Sequence, residues 1–284
     1  TQIQTDQGTI LGNRRGNSVL FKGIPYARPP IGPLRWKPPQ PVVPRNDTLS
    51  ARNFGPPCPQ ARLAKSGSAS EDCLTLNIAT PASALMSTTD SLPVFFSIHG
   101  GGFVNGSGQP VFAVAPVLNA SGIILVTMNY RLGALGFYAH PLLDMKQGAN
   151  FALLDLVAAL RWVYDNIDAF GGDPERVTIQ GISAGGQAVN MLMVNPQARG
   201  LFAGAIAQSG YGAWPLQPHL ESLQDATESP SAEQISAAIA SRASGKNASE
   251  LNVKELYALS AEQLFGAILG FHLPIIDSIT LPDE

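Results

Sequence analysis

Val177-Thr178-Ile179-Gln180-Gly181-Ile182-Ser183-Ala184-Gly185-Gly186 is the stretch on which the reading of this chain turns. Val177-Thr178-Ile179 reads as a short strand, and a helix is expected from near Ser183 to about Met193. Between them lies Gly181-Ile182-Ser183-Ala184-Gly185, a G-x-S-x-G pattern. A strand that turns sharply into a helix needs small residues on both sides of the turn, and it leaves the central serine exposed at the strand end. The helix N-terminus behind it favours developing negative charge. Five residues alone arise readily by chance; the strand-to-helix setting is what marks Ser183 as a candidate nucleophile.

Upstream, Pro93-Val94-Phe95-Phe96-Ser97-Ile98 suits a buried strand and runs directly into His99-Gly100-Gly101-Gly102-Phe103. Acyl transfer places negative charge on a carbonyl oxygen, and fixed backbone N–H donors stabilise it; losing one donor costs about 3–4 kcal/mol. Glycines let a backbone approach that oxygen closely. The N–H groups of Gly101, Gly102 and Ala184 are therefore the expected oxyanion donors.

The rest of the chain alternates strands and helices. Gly8–Leu11, a polar turn over 13–17 and Val19-Leu20-Phe21 read as a small hairpin. Leu74–Ile78 alternates like a half-buried strand, and Ile123–Met128 and Phe202–Ala207 are apolar strands. Leu153, Leu154, Val157, Leu160, Val163 and Ile167 mark a helix over 150–167, and residues 231–243 and 252–269 read as short helices. This order predicts an α/β fold, with a mostly parallel sheet flanked by helices.

Bulk properties narrow the function. The 284 residues are 45% hydrophobic and only 14% charged, with net charge −3 and no basic run. Nucleic acid and anionic membrane surfaces are poor partners for such a chain. No apolar stretch reaches the roughly 18 residues of a membrane span. Cys58 and Cys73 are the two cysteines, and their pairing would close a short loop. Sequons begin at Asn46, Asn105, Asn119 and Asn247. Asn105 falls in the glycine loop, where a glycan would obstruct, so Asn46, Asn119 and Asn247 are the candidate N-glycosylation sites. A first residue of Thr1 fits either a processed mature protein or a trimmed chain, and the sequons make secretion the expectation.

Several further stretches resemble one family: Phe21–Ala27, Ser70–Asn77, His99–Phe103, Asn129-Tyr130-Arg131-Leu132-Gly133, Phe170–Pro174, the Ser183 turn and Gln208-Ser209-Gly210. In this order they are similar to the type-B carboxylesterases, which include cholinesterases and fungal lipases. The resemblance implies an α/β-hydrolase fold and Ser183 as nucleophile. It also implies a Cys58–Cys73 disulfide and no metal or organic cofactor. Phe103, Ser209 and Trp214 become candidates for the acyl pocket or its support; a loop serine and a core tryptophan are the alternatives for the last two.

A serine hydrolase also needs a base and an acid. The family carries both far downstream, whereas only 101 residues follow Ser183. The histidines are His99, His140, His219 and His272, none in the family's Gly-His context. The expectation is a single domain over 1–284 that represents an N-terminal half, with a C-terminal polypeptide completing the triad. Family members usually have Glu before the nucleophile; here it is Ile182. The segment between the cysteines holds no aromatic residue, whereas cholinesterases carry there a Trp that binds quaternary ammonium. Neutral small-molecule esters are the expected substrates. A lipase acting on acylglycerols and a non-catalytic adhesion protein are the alternatives.

Overall fold

Alternating apolar strands and helices bury their hydrophobic faces by layering, and that layering organises this chain. A computed structural model describes residues 1–60, 68–86, 91–210, 230–269 and 274–281. Its strands are β1 (Gln2–Thr5), β2 (Gly8–Leu11), β3 (Asn13–Arg15), β4 (Ser18–Pro25), β5 (Leu49–Ser50), β6 (Thr75–Pro81), β7 (Leu92–Ile98), β8 (Ile124–Met128), β9 (Gly172–Ile182) and β10 (Gly204–Gln208). The larger sheet has seven strands in the order β10-β9-β7-β8-β6-β4-β3. Its β10, β9, β7 and β8 run parallel, and the pairings from β8 through β6 and β4 to β3 are antiparallel. The parallel half carries the G-x-S-x-G turn.

The helices used below are α1 (Ala115–Ala120), α2 (Phe151–Asn166), α3 (Ala184–Val194), α4 (Ala232–Ser244), α5 (Val253–Ala258) and α6 (Ala261–Gly266). Helix α2 buries a broad stripe that includes Phe151, Leu153, Leu156, Leu160 and Val163. No helix among the described residues is long and apolar enough to cross a membrane.

Local chemistry corrects several boundaries. The hairpin forms between β3 and β4, not between Gly8–Leu11 and Val19–Phe21. Strand β2 pairs instead with β1 and β5 in a separate three-stranded sheet. Strand β6 is buried on both faces, because its polar residues have partners there: Asn77 donates to Thr127 Oγ1 at 3.0 Å and accepts from Gly23 N at 2.9 Å. The helix expected over 252–269 is two helices, because Ser260 begins a second capping box with Gln263. Strand β10 is largely exposed, although its sequence is apolar.

The sequon at Asn119 is also corrected. Asn119 is buried, and its Nδ2 donates to Ala79 O at 3.0 Å and Ile123 O at 2.9 Å. A buried amide engaged in this way offers no acceptor for a glycan in the folded protein. Asn46 and Asn247 are exposed.

One buried ion pair ties the motif after β8 to α2. Arg131 Nε and Nη2 grip Asp155 at 2.8 and 2.7 Å, and Arg131 Nη1 donates to Lys37 O at 2.9 Å. Both side chains are almost wholly shielded from solvent. Removing one partner from such a pair strands the other's charge in the interior, at about 3–5 kcal/mol. Arg131→Leu should therefore lower unfolding stability by that amount in urea melts of the native protein. Arg176→Leu, which breaks the exposed Arg176–Asp173 pair, should cost less than about 1 kcal/mol.

Candidate active site

The site follows from two parallel strands that end side by side. In the register of β7 with β9, Ile98 lies opposite Gly181. His99-Gly100, which follow β7, and Ile182-Ser183, where β9 ends, therefore meet at the C-terminal ends of the two strands. A Cβ added at Gly100 would lie 2.5 Å from Ile182 O and 3.3 Å from Ser183 Cβ. Only glycine permits this approach. Gly185 and Gly186 serve the elbow from the other side. A side chain on Gly185 would strike Ile98 O, and one on Gly186 would reach within 2.7 Å of Gln208 O.

Ser183 adopts φ 57° and ψ −125°, a conformation that L-residues with a side chain rarely hold. Such strain persists only where surrounding contacts enforce it. Here Ser183 N donates to Gln208 O at 2.9 Å, and Gln187 N donates to Ser183 O at 2.9 Å. Ser183 is exposed, and its hydroxyl does not cap α3 although the residue occupies the N-cap position. The hydroxyl is thereby left at the surface, at the positive end of a helix dipole.

Across from it, Gly101 takes φ 117° and folds back so that Asn105 N donates to Gly101 O at 3.1 Å. Among the described residues, the backbone N–H groups of Gly101, Gly102 and Ala184 have no hydrogen-bond acceptor. Ala184 is the first residue of α3, so its N–H points out of the helix end. Phe103, also at positive φ, is fully buried and packs edge-on against Phe137 with centroids 5.1 Å apart. Its ring anchors the glycine loop in the core. Ser209 is exposed at φ 51°, directly after β10. Trp214, His219 and His272 lie outside the described residues.

The loop is braced by residues that sequence reading treats as scaffold. Tyr130 OH donates to His99 O at 2.8 Å, and the two rings stack at 4.3 Å. Asn129 Oδ1 accepts from Gly108 N at 3.0 Å, while its Nδ2 donates to Pro56 O at 3.0 Å. Gln60 Nε2 donates to Gly106 O at 2.9 Å, and Gly106 N donates to Gln60 Oε1 at 3.1 Å. Gln60 stands two residues beyond Cys58, which is disulfide-bonded to Cys73. Their signal in the sequence was the Asn129-Tyr130-Arg131 stretch and the cysteine pair; what each would touch was not visible there.

His99 faces inward. Burial pushes its pKa down to about 4, against a weaker opposing effect of its Nδ1 contact with Gly100 O at 2.9 Å. His140 is also buried, with its pKa lowered by burial, and its Nδ1 accepts from Leu142 N at 3.2 Å. Both imidazoles are held in packed surroundings. Among the described residues, no group of His, Cys, Asp and Glu is arranged to hold a metal ion.

The Carboxylesterase family profile matches residues 1–280. The chain belongs to the carboxylesterase family. It is 41% identical to the fumonisin B1 esterase of Sphingopyxis macrogoltabida over 79% of this chain and 42% of that protein. It is 35% identical to the para-nitrobenzyl esterase of Bacillus subtilis (strain 168), over 99% of this chain and 58% of that one. Among solved structures it superposes on a PNB esterase with TM-score 0.85 and 37% identity, covering 99% of this chain and 58% of that one. The Geobacillus stearothermophilus carboxylesterase EST55 gives TM-score 0.84 at 35% identity, covering 99% and 56% of the two chains. The fold is thus that of the α/β-hydrolase esterases. The chain spans about half the length of the curated relatives it matches.

The state of His99 has a pH consequence. The fold keeps it neutral, whereas the unfolded chain takes up a proton below about 6.5. Stability is therefore lost as pH falls from about 6.5 towards 4, by about 3 kcal/mol in total. His99→Gln, which removes the titration, should flatten that part of the profile in urea melts between pH 7 and 4. An unchanged acid limb would show that His99 does not carry this dependence.

Proposed function

We propose that this chain carries the nucleophile and the oxyanion donors of a serine-dependent carboxylic ester hydrolase. The observation that supports it most directly is an exposed, backbone-strained Ser183 set beside a glycine loop whose N–H groups are free of intrachain acceptors among the described residues. In this reading Ser183 Oγ attacks the ester carbonyl carbon and its proton passes to a base. Negative charge collects on the carbonyl oxygen, where the Gly101, Gly102 and Ala184 N–H groups donate to it. The alcohol departs with a proton, and water hydrolyses the acyl-enzyme.

The base and its orienting acid are supplied by polypeptide outside this sequence. In favour of this, His99 and His140 are buried with depressed pKa values, a poor setting for exchanging a proton with an exposed serine. The chain also spans only about half of its relatives. Residues 1–284 are then one part of a larger hydrolase domain. Ser209, directly after β10, and Trp214 are the residues proposed to support or line the acyl pocket. Phe103 serves by holding the loop from beneath.

Neutral esters are the proposed substrates. The segment between Cys58 and Cys73 offers no aromatic face for a quaternary ammonium group. Secretion is supported by the disulfide and by the exposed sequons at Asn46 and Asn247.

A fluorophosphonate probe on the full-length protein tests the mechanism. Labelling should fall on Ser183 and vanish in Ser183→Ala, along with hydrolysis of p-nitrophenyl esters. Failure of the native protein to label or to turn over these esters would overturn the reading in favour of a non-catalytic binding role. Gly101→Ala, whose methyl group would collide with Asn105 O, should lower kcat by roughly 100-fold or more through a displaced donor. Unchanged kcat would remove Gly101 from the oxyanion hole.

A further inference from the structure

Far from Ser183, at the opposite edge of the seven-stranded sheet, lies a cavity of about 770 Å³. It is bounded by β3, β4, the chain just after β6, and α1 with the turn before it. Strand β4 is four places from β9 in the sheet order, so the cavity is about 19 Å from the Ser183 edge at ~4.8 Å per strand. Its volume falls in the range of sites for small organic molecules, about 300–1,000 Å³.

The lining combines two chemistries. Leu20, Phe112, Met86 and Pro116 give it an apolar body, and Arg14 and Arg15 give it a cationic rim. Among the described residues no Asp or Glu lines it, although the protein as a whole is net negative at −3. Neither arginine forms an ion pair among the described residues, and Arg14 engages only Gly16 O, through Nε at 3.2 Å. A third cation stands close by. Lys22, on the same face of β4 as Leu20, sits 6.0 Å from the centre of the Phe112 ring. Its pKa is lowered, first by burial and then by the charge of Arg15. Arg15 and Lys22 repel each other, and among the described residues none of the three cations has a carboxylate partner.

Asn119 adds a directional group to the wall. Its Nδ2 is committed to two carbonyls, which fixes the orientation of its amide, and its Oδ1 is buried with no partner among the described residues. We propose that this cavity is a second binding site, for an amphipathic organic carboxylate whose apolar body fills the cavity and whose carboxylate pairs with Arg15, the β3 arginine that shares the Leu20 face. Guanidinium groups bind carboxylates through paired, charge-assisted hydrogen bonds. The site does not depend on the catalytic reading of Ser183.

Equilibrium dialysis of decanoate and decan-1-ol against the full-length protein, treated with diisopropyl fluorophosphate to fill the Ser183 site, tests this. Decanoate should bind at one site, at least 10-fold tighter than decan-1-ol. Arg15→Gln should weaken decanoate by 10-fold or more and the alcohol by less than 2-fold. Ala113→Trp, at an exposed position in the lining, should remove binding of both. Hydrolysis of p-nitrophenyl acetate by the untreated variants should match the parent protein. Equal affinity for acid and alcohol, or decanoate binding unmoved by both variants, would overturn the proposal.

Discussion

The parallel pairing of β7 with β9 is the constraint on which the site depends. It sets Ile98 beside Gly181, and so it delivers the glycine loop and the serine turn to one point although 84 residues of sequence separate His99 from Ser183. Parallel strands cannot be joined by a tight turn, and the crossover between them here contains β8 and the long helix α2. The geometry of the candidate site is thus a by-product of sheet topology. A slip in register by one residue would move the loop away from the serine and invert every side chain along the strand.

Around that pairing, glycine is used where backbones must touch. Gly100 admits Ile182 O, and Gly185 admits Ile98 O, so the two strand ends lock together from both sides. The cost is backbone strain, seen in the positive φ of Ser183, Phe103 and Ser209. Each such residue costs of order 1–3 kcal/mol and needs enforcement from its surroundings. Phe103 obtains it from burial against Phe137, and Ser183 from hydrogen bonds at both its N–H and its carbonyl.

The chain from 129 to 131 distributes three tasks over three consecutive residues. Asn129 links the far end of the glycine loop to Pro56, Tyr130 holds His99, and Arg131 binds Asp155 of α2. Gln60 adds a further brace from the disulfide-bonded segment. Oxyanion stabilisation relies on donors that do not reorganise during reaction, and these contacts are what would hold them still. Strand β10 is the exception to this packing. Among the described residues it ends the sheet, largely exposed, directly beside the serine turn. Sheets ordinarily pair, cover or blunt such an edge.

Local patterns were sufficient to locate Ser183, the glycine loop, the α2 helix and the apolar strands, because periodicity and turn chemistry are written in neighbouring residues. They were also sufficient to suggest a cysteine pair. They were misleading for Asn119, whose sequon is sound in sequence but whose side chain is spent on Ala79 and Ile123. They misassigned the first hairpin as well, because the polar Asn13-Arg14-Arg15 reads as a turn, whereas it forms β3 beside β4 and the apolar β2 pairs with β1 and β5. Which strand neighbours which, what Tyr130 and Gln60 grasp, and that Leu20, Arg14 and Asn119 share a cavity were decided by tertiary structure alone. Those facts are contacts between residues remote in sequence, and no local propensity encodes them.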